Sequence, residues 1–474
     1  MRTYVRISFM IIHSGARPYQ EIRRDYAKMP TMKLWLPLFL LLVIVACVPQ
    51  TPIPVYVTPT QAIEGQTTER QVVPRVPQAS ITPTPGPTET ATPVATATPA
   101  PPTGTPLPYL DPSQMGVQLH TLLSQEDFDA ITRLTDTLGL GWVKVQIDWK
   151  LLQPNGPGDT GVDFRRQELY LEDLKRRGHK VLASVARAPD WARSSREEAG
   201  PPDDPQVLVN FLNLMLNEFG NVIDAVEVWN EPNLRREWNG RPISGGEYLR
   251  YFRAARDAIN AYSSRMQANV DEPRQTPIVV VTAGLAPTGN SPWSVDDRQF
   301  LRQMYNAGLA GLAGVHIGAH PFGWGNDPAH SCCNAIADRG WDDAPQFFFL
   351  DTLRNYRDIM LAYGDTEARI WVTEFGWPTW EGLPGEAPEP FVAYNDKWVQ
   401  ADYTLRAFQI GQQLDYVGPM FLWNMNFAWL PHLVSSRDER AAYSLLVPLQ
   451  PQERPLFWML FDAVRPERDL DKYD

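Results

Sequence analysis

Two short acidic motifs stand out in this chain: Trp229-Asn230-Glu231-Pro232-Asn233 and Thr373-Glu374-Phe375-Gly376-Trp377. Each sets one glutamate just past a run of strand-forming residues, Ala225-Val226-Glu227-Val228 and Arg369-Ile370-Trp371-Val372. Two carboxylates held close in a sugar-sized cleft can divide one reaction between them. One protonates a leaving oxygen while the other attacks an anomeric carbon. A lone glutamate at a strand end is commonly a cap or an ion-pair partner. Two of them, each flanked by tryptophan at corresponding points of one repeating pattern, point to chemistry.

The elements that must position them alternate from Gln114 onward. Short β-rich runs are predicted at Gly116–His120, Trp142–Trp149, Lys180–Ala186, Ala225–Trp229, Pro277–Ala283, Gly314–His320, Ala368–Thr373 and Val417–Trp423. Helix-length segments with apolar residues three and four apart lie between them. They include Glu126–Leu138, Val207–Glu218, Glu247–Ala261, Gln299–Ala307, Phe348–Tyr363 and Lys397–Leu414, and Pro455–Val464 follows the last strand. Eight such units match a (β/α)₈ TIM barrel, an α/β fold. A doubly wound open sheet is the alternative, but no Gly-rich nucleotide turn follows the first strand.

A barrel also predicts which faces look inward. In the second strand Val143, Val145 and Ile147 oppose Lys144, Gln146 and Asp148; in the fourth, Val226 and Val228 oppose Glu227, Trp229 and Glu231. In the sixth, Val315 and Ile317 oppose His316, Gly318 and His320. Helices cover the outside, so the polar faces should point inward. Lys144, Glu227 and His316 are expected to share a lower polar layer, with Lys144 or a neighbouring cation pairing Glu227. Glu231 and His320 would sit above it at the carboxyl-end mouth.

At these residues the chain resembles the glycoside hydrolases of clan A, a (β/α)₈ superfamily. Glu227-Val228-Trp229-Asn230-Glu231-Pro232 is similar to the clan's strand-four signature, and Trp371-Val372-Thr373-Glu374-Phe375-Gly376-Trp377 to its strand-seven one. Ala188-Pro189-Asp190-Trp191-Ala192, Gly318-Ala319-His320-Pro321-Phe322 and Tyr443-Ser444-Leu445-Leu446 add to the resemblance, which spans about residues 115–464. It is nearest the β-xylosidase/α-L-iduronidase-like and cellulase-like branches. The resemblance implies Glu231 as acid/base, Glu374 as nucleophile and Asn230 as a hydrogen-bond partner of the sugar 2-hydroxyl. Glu231, in a partly dry cleft near a second carboxylate, is expected to keep its proton. Glu374 needs donors, for which His320 and a side chain from the second strand are the candidates. Two departures reduce them: Lys144 and Gln146 stand where the clan often has a strand-two arginine, and Phe322 where many members carry tyrosine.

Tryptophan supplies a second line. Of the 16 in the chain, Trp149, Trp191, Trp238, Trp324, Trp377, Trp380, Trp423 and Trp429 fall at strand ends or in the loops that follow. Pyranose C–H faces pack on indole, so a ring of them would form sugar subsites; the alternative is that they anchor loops. Trp423 is expected to floor the cleavage subsite, with Trp149, Trp191 and Trp377 beside it. Arg187 and His120 end the third and first strands and are expected to bind hydroxyls or to pair structurally.

Composition frames the rest. The chain has 474 residues and a formal charge of −12, without a basic cluster in its folded part, which disfavours nucleic acid and suits neutral polymers. Residues 48–106 form a Thr/Pro-rich stretch that cannot bury a core and reads as a disordered, semi-stiff linker. Leu38 to Ala46 is an apolar run too short to span a bilayer and suited to a signal peptide. Ile44-Val45-Ala46-Cys47 resembles a bacterial lipobox, which implies lipidation of Cys47; an uncleaved signal anchor is the alternative. Translation is expected to begin at Met29 or Met32. Cys332 and Cys333, the other two cysteines, could form a vicinal disulfide and do not suit a metal site.

The chain is therefore read as residues 1–47 for export, 48–106 as linker and 107–474 as a (β/α)₈ catalytic domain. The expected protein is bacterial, extracytoplasmic, monomeric and held to the membrane only through its N-terminal lipid or signal anchor. It would act on a poly- or oligosaccharide as a retaining hydrolase needing no metal or organic cofactor. The rival reading is a catalytically idle carbohydrate-binding barrel serving as an adhesin or substrate collector.

Overall fold

Strands predicted from alternation and helices predicted from the 3.6-residue period fall in the expected order in the computed structural model. It describes residues 109–333, 344–448 and 452–465. The expected signal segment, Cys47 and the linker lie outside the described residues. Eight parallel strands close into one barrel in chain order. They are β1 (Met115–Leu119), β2 (Trp142–Asp148), β3 (Lys180–Ala186), β4 (Ala225–Val228), β5 (Val279–Thr282), β6 (Val315–Ala319), β7 (Ile370–Phe375) and β8 (Val417–Leu422), with β8 pairing back onto β1. A TIM barrel follows directly.

A helix follows each strand: α1 (Gln125–Leu138), α2 (Val162–Arg176), α3 (Pro205–Phe219), α4 (Gly245–Gln267), α5 (Asp297–Asn306), α6 (Phe349–Ala362), α7 (Lys397–Gln413) and α8 (Pro455–Ala463). Short polar residues start several of them. Ser124, Asp204, Ser244, Asp296 and Asp396 each accept a first-turn backbone N–H, as N-caps do. The apolar period marks α2 only weakly in the sequence. Its buried face mixes Gln167 and Glu168 with Phe164, Tyr170, Leu171 and Leu174, which breaks the apolar spacing.

The barrel interior is layered. Val143, Val145 and Ile147 of β2 point out into the main strand–helix core, as predicted. At the amino end Trp142, Leu182, Ala225, Val281, Trp371 and Phe421 form an apolar plug. Trp142 meets Trp371 edge-on at 5.3 Å between centroids and Phe421 at 5.9 Å. Gly116 makes room for it, since a Cβ there would lie 2.5 Å from the Phe421 ring. Above the plug sits a polar layer of Lys144, Glu227 and His320. His316 is not in it, contrary to expectation. Its ring stacks on Trp371 at 5.9 Å and accepts the Arg369 backbone N–H, so it belongs to the aromatic level below.

Candidate active site

Backbone in sparsely populated conformations builds the mouth. Trp229 and Glu231 lie at φ +80° and +41°, and Arg187, just past β3, at +63°. Such residues cost about 1–3 kcal/mol each and persist where their surroundings fix them. The Trp229 N–H donates to the Val185 carbonyl at 2.8 Å and its indole N–H to the Glu237 carbonyl at 2.9 Å. The Glu231 N–H donates to the Gly284 carbonyl at 3.1 Å. On the other side, pairing of β7 with β8 slips between Val372 and Phe375, the stretch that carries Glu374.

These turns bring both glutamates to one imidazole. His320 Nδ1 lies 3.2 Å from Glu231 Oε1 and 3.9 Å from Glu374 Oε2. The two oxygens can be no further apart than the sum of those contacts. That limit admits the ~5–5.5 Å separation of a retaining pair. Both side chains are nearly buried, at 11% and 8% exposed, yet both reach the barrel mouth. Gly284 lets the imidazole in. A Cβ at that position would stand 2.1 Å from His320 Nε2.

Lys144 supplies the cation that the missing strand-two arginine left in question. Its Nζ donates to Glu374 Oε1 at 2.9 Å and to the Thr373 carbonyl at 3.1 Å, and stands 3.0 Å from Glu227 Oε2 as an ion pair. Glu227 also accepts the Gly284 N–H at 3.0 Å. The buried charge is thus paired from β2, as predicted, and Lys144 is the side-chain donor to Glu374 among the described residues, His320 standing 3.9 Å away. Phe322, in the place of the clan's tyrosine, packs instead in an apolar cluster, 5.6 Å from Trp423 and 5.5 Å from Tyr443 between ring centroids.

Electrostatics corrects one expectation. Burial alone would push the Glu231 carboxyl up, but the His320 hydrogen bond and the Arg236 guanidinium outweigh it and hold its pKa below the ordinary 4.5. The free site therefore ionises Glu231 rather than keeping it protonated. Burial opposes charge on His320 as well. There the Glu374 carboxylate, with Glu227 and Glu231, prevails and pushes it up to about 9. Burial would likewise discharge Lys144, yet Glu227 and Glu374 raise it.

The tryptophans divide. Trp149 is fully buried, stacked on Phe211 at 4.8 Å, with its N–H on Gln153 Oε1; Trp377 is buried, with its N–H on the Asn326 carbonyl. Both were expected as subsites and are core anchors, because a buried indole N–H must find a protein acceptor. Half-buried Trp191 is pinned by its N–H to the Gln153 carbonyl and meets Trp149 edge-on. Trp423 remains half-exposed at the end of β8, against Phe322, Tyr443 and Phe427. Asn230 is half-buried beside Glu231 and makes no side-chain hydrogen bond to another described residue. Arg187 pairs with Asp148 at the rim. His120, half-buried, meets Phe427 edge-on, and its backbone is tied to Asn426.

Three charged residues went unnoticed in the sequence. Arg236 Nη2 lies 3.3 Å from Glu231 Oε2. Glu237, beside it, is pushed up to about 7 by burial and by the carboxylates of Glu231 and Glu374. Glu439, from the segment after β8, is also raised by burial and faces Arg236 and Glu231. The run Arg235-Arg236-Glu237 was the available signal, lying within six residues of the first motif. Cys332 and Cys333 are bonded to each other. No helix among the described residues is long and apolar enough to cross a membrane.

No family model matches the sequence, and no curated protein is similar to it at a significant level. Solved structures are similar in fold. A family 39 glycoside hydrolase from Bacteroides cellulosilyticus aligns with a TM-score of 0.52 at 16% identity, over 75% of this chain and 64% of its own. The present chain thus spans under two thirds of that protein. A glucosidase from Croceicoccus marinus aligns at 0.49 and 10% identity, over 76% and 69%. A GH1 β-glucosidase from Exiguobacterium antarcticum aligns at 0.45 and 14%, over 75% and 99%. At 16% identity the first of these likenesses is one of barrel fold.

Proposed function

We propose that this protein is a retaining glycoside hydrolase acting on a poly- or oligosaccharide. The observation that carries the reading is the convergence of Glu231 and Glu374, from the carboxyl ends of β4 and β7, on one imidazole. In this reading Glu374 attacks the anomeric carbon as the bond to the leaving oxygen breaks, and Glu231 hands that oxygen its proton. Water then attacks the same carbon, Glu231 takes a proton from it, and the bond to Glu374 breaks. Lys144 aims Glu374 through its 2.9 Å hydrogen bond to Oε1. Asn230, with its amide bonded to no other described residue, is placed to bond the 2-hydroxyl, and Trp423 offers a face for the pyranose. The Leu38–Ala46 apolar run, Cys47 and the Thr/Pro-rich stretch support export on a lipid tether, with the barrel held off the membrane.

The test is a panel of aryl glycosides and plant and microbial polysaccharides, with the anomeric form of the first product read by NMR. Turnover with retained configuration is the expected result. Sugar binding without turnover on any member would favour the collector reading.

A further inference from the structure

The two donors to Glu231 differ in kind. His320 is wholly buried and wedged among Glu227, Glu231 and Glu374, so its bond to Oε1 is built into the barrel. Arg236 is 64% exposed, on the loop after β4, and holds Oε2 through one nitrogen at 3.3 Å. No other ion pair or hydrogen bond ties its guanidinium to a described residue. A bidentate arginine–carboxylate pair would be firmer and shorter. A carboxyl whose two oxygens each accept from a cation is held in its charged form, against the proton that a general acid must deliver.

We propose that Arg236 is a positioning residue that latches Glu231 through Oε2 in the free protein, and that its swing away from that oxygen lets the carboxyl take up the proton it delivers. The inference rests on Glu231 being the acid/base of the proposed reaction. On release, a proton from solvent adds to Oε2, passes to the leaving oxygen in the first step and is replaced from the attacking water in the second. Every charged group around Glu231 fits this division. From β2 and β4, Lys144 and Glu227 neutralise each other. From β6 and β7, His320 is fixed and Glu374 is taken by Lys144. Glu237 beside Arg236, and Glu439 and the buried Tyr443 hydroxyl from the segment after β8, bring no positive charge. Arg187 is held by Asp148, and Arg440 by Asp438. Arg236 is therefore the one solvent-exposed cation on Glu231 among the described residues, and Glu237 and Glu439 are acceptors for it once it leaves.

The experiment is a titration of the full-length protein with ¹³C-labelled glutamate side chains, the Glu231 signal being identified by its loss in Glu231→Gln. In Arg236→Met the Glu231 midpoint should rise by about one pH unit, a roughly tenfold gain in proton affinity, a discounted value for an exposed partner. Arg236→Lys should bring it back toward wild type. The alkaline limb of kcat/KM on a glycoside with a poor leaving group should move up with the midpoint. A midpoint in Arg236→Met unchanged from wild type would overturn the latch. A shifted midpoint with no glycoside hydrolysed by any variant would uphold the latch and remove the catalytic reading instead.

Discussion

Glu374→Gln should abolish turnover, lowering kcat/KM by about 10⁴-fold or more, since a nucleophile that forms the covalent intermediate has no substitute in the site. The glutamine carbonyl can still accept from Lys144, which stands 2.9 Å from Glu374 Oε1, so the fold should persist, with thermal unfolding lowered by the lost counter-charge to Lys144 and His320. Glu231→Gln should behave differently. With a dinitrophenyl leaving group, which departs without a proton, the first step should survive while the second slows for want of a base. With an alkyl leaving group both steps should suffer. The contrast separates a nucleophile from an acid/base more cleanly than either variant alone. A Glu374→Gln protein within tenfold of wild type would reject the assignment of Glu374.

Lys144→Met should cost stability on a scale seldom reached by one substitution. Lys144 is wholly buried, between Glu227 at 3.0 Å and Glu374 at 2.9 Å. Removing one partner of a buried charge cluster leaves the other uncompensated, at about 3–5 kcal/mol. The Gly284 N–H and the His320 ring, 3.8 Å away, still serve Glu227, which favours the lower end. Lys144→Met with Glu227→Gln should recover much of the loss, because the stranded charge is gone. A single variant within about 1 kcal/mol of wild type in denaturant unfolding would contradict the paired-layer description.

The pH dependence of unfolding follows from the same cluster. His320, pushed up to about 9 from 6.5, contributes stability fully present below about 6.5 and lost as pH rises through about 9. Glu227 is pressed upward by burial, but Lys144 and His320 hold it well below its ordinary 4.5. Its contribution is present above about 4.5 and lost as pH falls through the folded value. The wild-type unfolding temperature should be highest between those limits. In Lys144→Met the acid side should flatten, since Glu227 loses the cation that depresses it.

What the sequence made legible here was pattern, and what it hid was height and direction. The period-two alternation of β2 placed Lys144 inside and Val143 and Val145 outside, and the strand ends placed Glu231 and Glu374 on the rim. His316 and His320 share a face, but only the folded barrel shows that Trp142, Trp371 and Phe421 fill the lower level and lift the polar layer to His320. Trp149, Trp377 and Trp423 all follow strands. Whether each indole N–H finds a buried acceptor or a wet cleft depends on loops far away in the chain, Asn326 for Trp377 among them. The protonation of Glu231 was misjudged for a similar reason. Burial and a neighbouring carboxylate are visible in a motif, whereas Arg236 reaches Glu231 only because the loop after β4 turns back on itself.

The central claim is that Glu374 becomes covalently bonded to the sugar it cleaves. Incubation with 2-deoxy-2-fluoro glycosyl fluorides, whose fluorine slows breakdown of such an intermediate, followed by peptide mass spectrometry, tests it directly. The account requires one fluoro-sugar per protein, on the peptide carrying Glu374, and none in Glu374→Gln. Turnover of glycosides with no adduct, or an adduct on Glu231 or Glu237 instead, would contradict it.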